Sequence, residues 1–468
     1  MVESFSVGEQ TLVAGRIDSA SNSVITAFTV ASISLIIYGV FYPGLINFDT
    51  AEMLNQAMLG YCRDWHSPTL VLIWRALNLV VPGPASLLGL GLLLFSASAL
   101  YLARWSTVRL FPCLAIVALL CFWPPLLDAL VVVGKDQLFI TCLMLFIALS
   151  LTTLQKGRLT GATLLWLIPL LFVAGGVRQD SAVLLTPTLF LLYRLPRGRS
   201  LSSWGWKMAG AMAVISVVAA FAAVKISNRF VARAEREFPF QTTQVHDLAG
   251  IAVRTDHALI PSYADPGFDA IAVKGRYTPR TGDTLMFFPG QPNLQITNLK
   301  ERADELQSLW TGAVLRYPRA YLQHRLASFI YLLGIEQPLS YQLYQLDTDL
   351  TMHAAYPLLT NVNIGNPDNA TIAYYRKSVI PALETTPMFR GYAYDLVIIL
   401  EIGLALWRRS PRDRLIVAIG CGALLHQSLL FFVSPAALFR YLYPSILTCL
   451  VMTILTLTRN DASRGRAT

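Results

Sequence analysis

The chain has 468 residues, 54% of them hydrophobic and only 14% charged, with a mean hydropathy of +0.52. Soluble chains carry about a quarter charged residues, so this composition excludes a string of soluble domains and fits a polytopic membrane protein. The net charge of +9, from 37 basic and 28 acidic side chains, would suggest nucleic acid on a soluble protein, but here its distribution along the chain decides.

The first residues include Glu3, Glu9, Arg16 and Asp18 and lack the basic start of a secretory signal, so the first apolar run is expected to be a retained span. Apolar runs fall near 24–42, 84–103, 111–127, 136–154, 160–177, 181–194, 207–226, 391–407, 414–433 and 437–457. A 19-residue helix rises about 28 Å, enough for a hydrocarbon core of roughly 30 Å. About ten transmembrane helices are therefore predicted; the run at 181–194 is short and holds Pro187. Cys113, Cys121, Cys142, Cys421 and Cys449 lie in apolar runs and only Cys62 in a polar stretch, which reads as small core residues rather than a disulfide framework.

Orientation follows from the basic residues of the short connections. With the N-terminus inside, Arg16, Arg104–Arg109, Lys156–Arg158, Arg194–Lys207, Arg408–Arg414 and the tail Arg459–Arg466 place 16 basic residues against five acids on the inner side. The polar region 227–390 has 15 of each and belongs outside. The positive excess is thus a topology signal and needs no nucleic-acid partner. Within that outer region, Tyr321–Leu333 is amphipathic and either lies on the membrane surface or spans it; the charge rule favours the surface. Pro261–Pro266 and Pro279–Pro292 break any long helix.

The short outer connections carry acids beside bases. The first holds Asp49, Thr50 and Glu52, a helix-start signal for a short helix through Gln56, with Asp49 a candidate cap. Next comes Arg63-Asp-Trp-His-Ser-Pro68, and a second helix is expected after Pro68. Further connections hold Asp128, then Lys135 and Asp136, then Arg178, Gln179 and Asp180, and Arg440-Tyr-Leu-Tyr-Pro444 stands at the outer end of the last span. A basic residue at a helix end often snorkels to headgroups. Charges gathered at one membrane face nevertheless tend to mark function.

These elements together resemble the membrane-embedded glycosyltransferases of the GT-C superfamily. The resemblance rests on Asp49 beyond the first span, two membrane-surface helices, Asp64-Trp-His-Ser-Pro68, Lys135-Asp136 and the closing Arg440-Tyr-Leu-Tyr-Pro444. It points to the bacterial branch related to glycosyltransferase family 39 and the protein O-mannosyltransferases. Residues 24–200 and 391–457 carry it, whereas 227–390 holds no assignable motif. The expected organisation is an all-α polytopic membrane protein with a mixed outer-face soluble region. Its parts are an N-terminal transmembrane module 1–226 with a catalytic segment 43–83, the outer region 227–390, and C-terminal helices with an inner tail, 391–468.

The resemblance implies transfer of a sugar, with inversion, from a polyprenyl-phosphate donor to an outer-face acceptor: a cell-envelope glycan, a lipid or a protein. A hydroxyl acceptor needs a base, and the leaving lipid phosphate needs fixed cations. Asp49 stands at the family's first-loop catalytic position, and Asp64 and Asp136 are the other candidate catalytic acids. Lys135, Arg178 and Arg440 are candidate phosphate ligands; His66 and Tyr441 are candidate substrate contacts. Asp64 also fits a solvated pair with Arg63. The expected location is the bacterial plasma membrane, with both termini cytoplasmic.

No cofactor is implied. His246, Asp247, Asp256 and His257 are a candidate cluster for a divalent metal, but their spacing fits no zinc motif. No Gly-rich phosphate loop is present, so nucleotide hydrolysis is not expected to drive the chain. Glu401, within a span, is expected to pair with a partner such as His426. Two other classes compete. A flippase or transporter for lipid-linked saccharides expects ionisable residues at mid-membrane depth. An O-antigen-type polymerase or ligase expects arginine-dominated catalysis without the first-loop Asp.

Overall fold

The computed structural model describes residues 7–106, 110–196, 205–264, 269–287, 296–336, 356, 358–359 and 369–458. Residues 1–6, 107–109, 197–204, 265–268, 288–295, 337–355, 357, 360–368 and the tail from Arg459, which include parts of both Pro/Gly-rich stretches, lie outside the described residues. Among the described residues the fold is all-α, with isolated bridges and no strand.

In chain order the membrane module runs α1 (Val7–Phe41), α2 (Phe48–Leu59), α3 (Pro68–Asn78), α4 (Pro84–Ser106), α5 (Leu110–Phe122), α6 (Pro124–Val131), α7 (Lys135–Gln155), α8 (Gly161–Val177), α9 (Ser181–Tyr193) and α10 (Trp206–Ile226). Among the described residues six segments are long and apolar enough to cross a membrane: Asn22–Phe41, Pro84–Ala103, Lys135–Gln155, Trp206–Val231, Arg412–Val433 and Phe439–Leu457. The apolar run 111–127 is not one straight helix. It breaks where Trp123 meets Pro124, and α5 and α6 are bent by 62°. The ring of Pro124 at the first turn of α6 cannot continue the preceding helix, and that is the cause of the break. Helices α8 and α9 are apolar but shorter.

Among its described residues the region 227–390 is built of helices joined by turns and isolated bridges, with no strand. It comprises α11 (Gln241–Thr255), α12 (Ala270–Arg276), α13 (Asp283–Met286), α14 (Ile296–Glu301), α15 (Ala303–Arg316), α16 (Pro318–Leu332), α17 (Ala370–Tyr374) and α18 (Ile380–Leu383). Val245, Leu248, Ala249 and Ala252 repeat at helical spacing on α11 and build a second core with Leu285, Leu306 and Tyr321. This is why the polar composition of the region did not prevent helices. Helix α16 contains the amphipathic Tyr321–Leu332; it packs on α11 and on the penultimate long helix, burying His324 and Arg325.

The chain ends with α19 (Gly391–Arg408), α20 (Pro411–Val433) and α21 (Tyr443–Leu457). Lipid tails are as apolar as leucine, so these helices gain little from burial alone and associate by close packing and polar contacts. Helix α20 packs on α9, and a Cβ at Gly422 would overlap the Leu184 carbonyl. Helix α7 is the most enclosed of the six long segments, packed on α4, α8 and α20.

Candidate functional site

The site is assembled by the first loop and the start of α7. Asn47, not Asp49, caps α2: its side chain accepts from the Thr50 amide at 2.9 Å. Asp49 is thereby left in the first turn with its carboxylate available. The Leu45 amide donates to Val131 O and the Val133 amide to Leu45 O, each at 2.9 Å. Thr50 Oγ1 then donates to Val133 O at 2.9 Å. Gly134 completes the join at φ +148°, where an added Cβ would lie 2.8 Å from Thr50 Oγ1. Only glycine fits here. These contacts bring Asp49 beside Lys135 and Asp136.

Helix α3 sets the second wall. Ser67 caps it, accepting from the Leu70 amide at 3.0 Å, and donates to Gly176 O at 2.7 Å. That bond fixes the turn after α8, which carries Arg178. Arg178 forks: Nη1 donates to Asp136 Oδ1 at 2.7 Å, and Nη2 and Nε to the two oxygens of Asp180 at 2.6 and 3.0 Å. His426 of α20 meets Asp180 Oδ2 at 2.9 Å.

Arg440, in the turn before α21, donates to Asp49 Oδ2 at 2.9 Å and brings Nε to 4.0 Å from Asp136. Lys135 Nζ lies 3.6 Å from Asp49. The Tyr441 ring sits under both guanidinium groups, 5.4 Å from Arg178 and 5.8 Å from Arg440. Tyr443 donates from its hydroxyl to Asp128.

Five of the eight sequence-predicted site residues are therefore in one ion network: Asp49, Lys135, Asp136, Arg178 and Arg440. Tyr441 borders it. Burial alone would raise the Asp49 carboxyl, but the charges of Arg440 and Lys135 outweigh it and hold the group well below the usual carboxylate range. Its side chain keeps 30% exposure, so the carboxylate is reachable from outside the protein.

Asp64 and His66 sit to one side. Asp64 Oδ1 accepts from the Glu237 amide at 2.6 Å and fastens the start of the outer region, while Arg63 pairs with Glu235 and Glu237. His66 Nε2 lies 3.0 Å from Glu52 of α2. Both Asp64 and His66 line an open cleft of about 730 Å³, which also reaches Lys135, Gln179, Lys225, Arg229 and Arg236.

Three residues at the site escaped the sequence reading as members. Asp180 was visible as an acid beside Arg178, but its pairing with a span histidine was not. His426 therefore bonds Asp180 and not Glu401, whose contact is Thr453. Asp283 of α13 is close enough to feel the charges of Asp49 and Arg440, and burial raises its carboxyl; no motif marks it. The four candidate metal ligands take separate partners. His246 bonds Thr278 O, Asp247 bonds Arg325 and Trp310, Asp256 pairs with Lys274, and His257 bonds Thr255 O. Among the described residues no three His, Cys, Asp or Glu side chains are grouped to hold a metal.

Fold and site together define an α-helical membrane protein with a charged, partly open site where several apolar helices end. No protein-family model and no curated protein matches this chain.

Proposed function

We propose that the chain is an integral-membrane glycosyltransferase that moves a sugar from a polyprenyl-phosphate donor to a hydroxyl of an outer-face acceptor in the cell envelope. The observation that carries this reading is Asp49: a carboxylate that keeps 30% exposure with Arg440 at 2.9 Å and Lys135 at 3.6 Å, next to an open cleft. A base and phosphate-binding cations are the two groups such a transfer needs, and here they touch.

In this reading Asp49 takes the proton of the acceptor hydroxyl. The acceptor oxygen bonds to the anomeric carbon as the carbon–oxygen bond to the lipid phosphate breaks on the opposite face, which inverts the centre. Lys135 and Arg440, with Arg178 behind them, take up the charge left on the phosphate. Before the donor arrives, those cations hold Asp49 ionised and occupied. A phosphate competes for them, releases the carboxylate and restores its basicity. Asp49 keeps 30% exposure against 13% for Asp136, which Arg178 pins, and Asp64 stands off the network, held by the Glu237 amide, so Asp49 is the acid of choice. His66 and Tyr441 border the space for substrate. The outer region, through Asp283, faces the acceptor side.

The topology that goes with this function has ten spans in a bacterial plasma membrane, both termini cytoplasmic and residues 227–390 outside. It rests on the distribution of basic residues. The test is to incubate membranes holding the wild-type chain or Asp49→Asn with a panel of polyprenyl-phosphate sugars and envelope acceptors, and to follow free polyprenyl phosphate by mass spectrometry. Wild-type membranes should release it and the variant should not. Equal release from both would overturn the assignment.

A further inference from the structure

The cations of the ion network are already balanced. Lys135, Arg178 and Arg440 face Asp49, Asp136 and Asp180, three against three. A phosphate arriving there meets no net positive charge.

The adjoining cleft differs. Lys225, Arg229 and Arg236 line it, and none of the three has an ion-pair partner among the described residues. Its lining acid is Asp64, already engaged by the Glu237 amide. Lys225 and Arg229 are four residues apart, at the end of α10 and in its π-helical continuation Ser227–Val231, so they share a face. The flank of this segment is apolar and open, with Val218, Ile226, Phe230 and Val231 exposed. At its other side the cleft reaches Lys135, 3.6 Å from Asp49. Positive charge without counterions, beside an uncovered apolar helix, fits a ligand with an anionic head and a long apolar tail.

We infer that this cleft binds the phosphate headgroup of a membrane lipid whose chain lies along the outward face of α10, with Lys225, Arg229 and Arg236 supplying the positive charge that the ion network lacks. Assigning that lipid as the sugar donor rests on the function proposed above. The anionic-lipid site does not. The same chemistry could come from a polyprenyl phosphate or from a bulk anionic phospholipid.

The full chain in phosphatidylcholine nanodiscs is titrated with decaprenyl phosphate, decaprenol and phosphatidylglycerol, read by native mass spectrometry. Decaprenyl phosphate should bind at least about tenfold tighter than decaprenol, and each of Lys225→Gln, Arg229→Gln and Arg236→Gln should weaken it by about fivefold. Lys207→Gln, at the opposite end of α10, should leave binding unchanged and reports on folding. If phosphatidylglycerol competes equally, the site is one for bulk anionic lipid, and its assignment to the donor is overturned. If the three variants bind like wild type, or decaprenol binds as well as its phosphate, the site itself is overturned. Because no sugar transfer is measured, cation-dependent binding beside an inactive chain would remove the catalytic reading and leave this one standing.

Discussion

Arg440 and Asp49, 391 positions apart in the sequence, are joined by a single hydrogen bond of 2.9 Å. The bond ties the turn before the last helix to α2, and it keeps the Asp49 carboxylate charged. Asn at position 49 can still accept from Arg440 through its amide oxygen. Asp49→Asn is therefore expected to fold, with a somewhat lower unfolding temperature because Arg440 and Lys135 lose a charged partner, while turnover falls roughly 10²–10⁴-fold, the usual worth of a general base. Wild-type turnover in a folded Asp49→Asn protein would place the base elsewhere.

Arg178 should behave differently. It is 8% exposed and bridges Asp136 and Asp180, so its removal strands two carboxylates. Breaking such a buried pair costs about 3–5 kcal/mol. Arg178→Ala should lower the unfolding temperature in detergent markedly, and Arg178→Lys, which keeps charge but not the fork, should fall between. An unshifted melting curve for Arg178→Ala would show that the bridge holds nothing together.

Gly134 offers a backbone test. Alanine there must adopt φ +148° and press on Thr50, so about 1–3 kcal/mol of strain is expected. Thr50→Ala should relieve the crowding but not the backbone conformation. Thermal unfolding of Gly134→Ala alone and with Thr50→Ala should show only partial rescue; full rescue would mean that side-chain overlap is the whole cost.

The core around α11 and α16 carries a pH dependence. Burial, then the neighbouring charges of His324 and Arg325, push His246 down to about 3, and burial with Arg325 and Arg254 holds His324 well below its ordinary value. The unfolded chain, with histidines near 6.5, binds the extra protons as the pH falls. Stability from the neutral imidazoles is thus complete above about pH 6.5 and is lost below it, at up to about 1.4 kcal/mol per pH unit for each histidine. The Asp247 carboxyl, raised by burial, works in the opposite sense and lessens the fall. Hydrogen exchange, corrected for intrinsic rates, should show α11 and α16 losing protection between pH 7 and pH 5.5. Unchanged protection there would mean that the imidazoles carry protons within the fold.

Local chemistry was readable from the chain and distant pairing was not. The start of α3 after Ser67-Pro68, the helix in the first loop and the charged pair Lys135-Asp136 follow from residues within a few positions of each other. Capping of α2 was one of two readings of Asp49; Asn47 and Asp49 are both good caps, and the Thr50 amide selects Asn47. His426 lies 246 positions from Asp180, and only the packing of α20 on α9 brings them together. The break at Trp123–Pro124 had a local signal in Pro124-Pro125, hidden within a run apolar enough to read as one helix. In the outer region, the core spacing of Val245, Leu248 and Ala252 was present without a motif to draw attention to it.

The turn leading to Arg440 is not held by the membrane helices alone. Thr243 Oγ1 donates to Val433 O, Arg325 to Ser434 O and the Gly282 amide to Pro435 O, while the Ala437 amide donates to Arg280 O. Four stitches from the outer region grip a five-residue strip that ends three residues short of Arg440. Arg325, pinned to Asp247 in the outer core, makes one of them rigid. The region thus helps to set where the guanidinium stands: the position at which Arg440 meets Asp49 is fixed in part by the core that holds Arg325 against Asp247, far from either residue in the sequence.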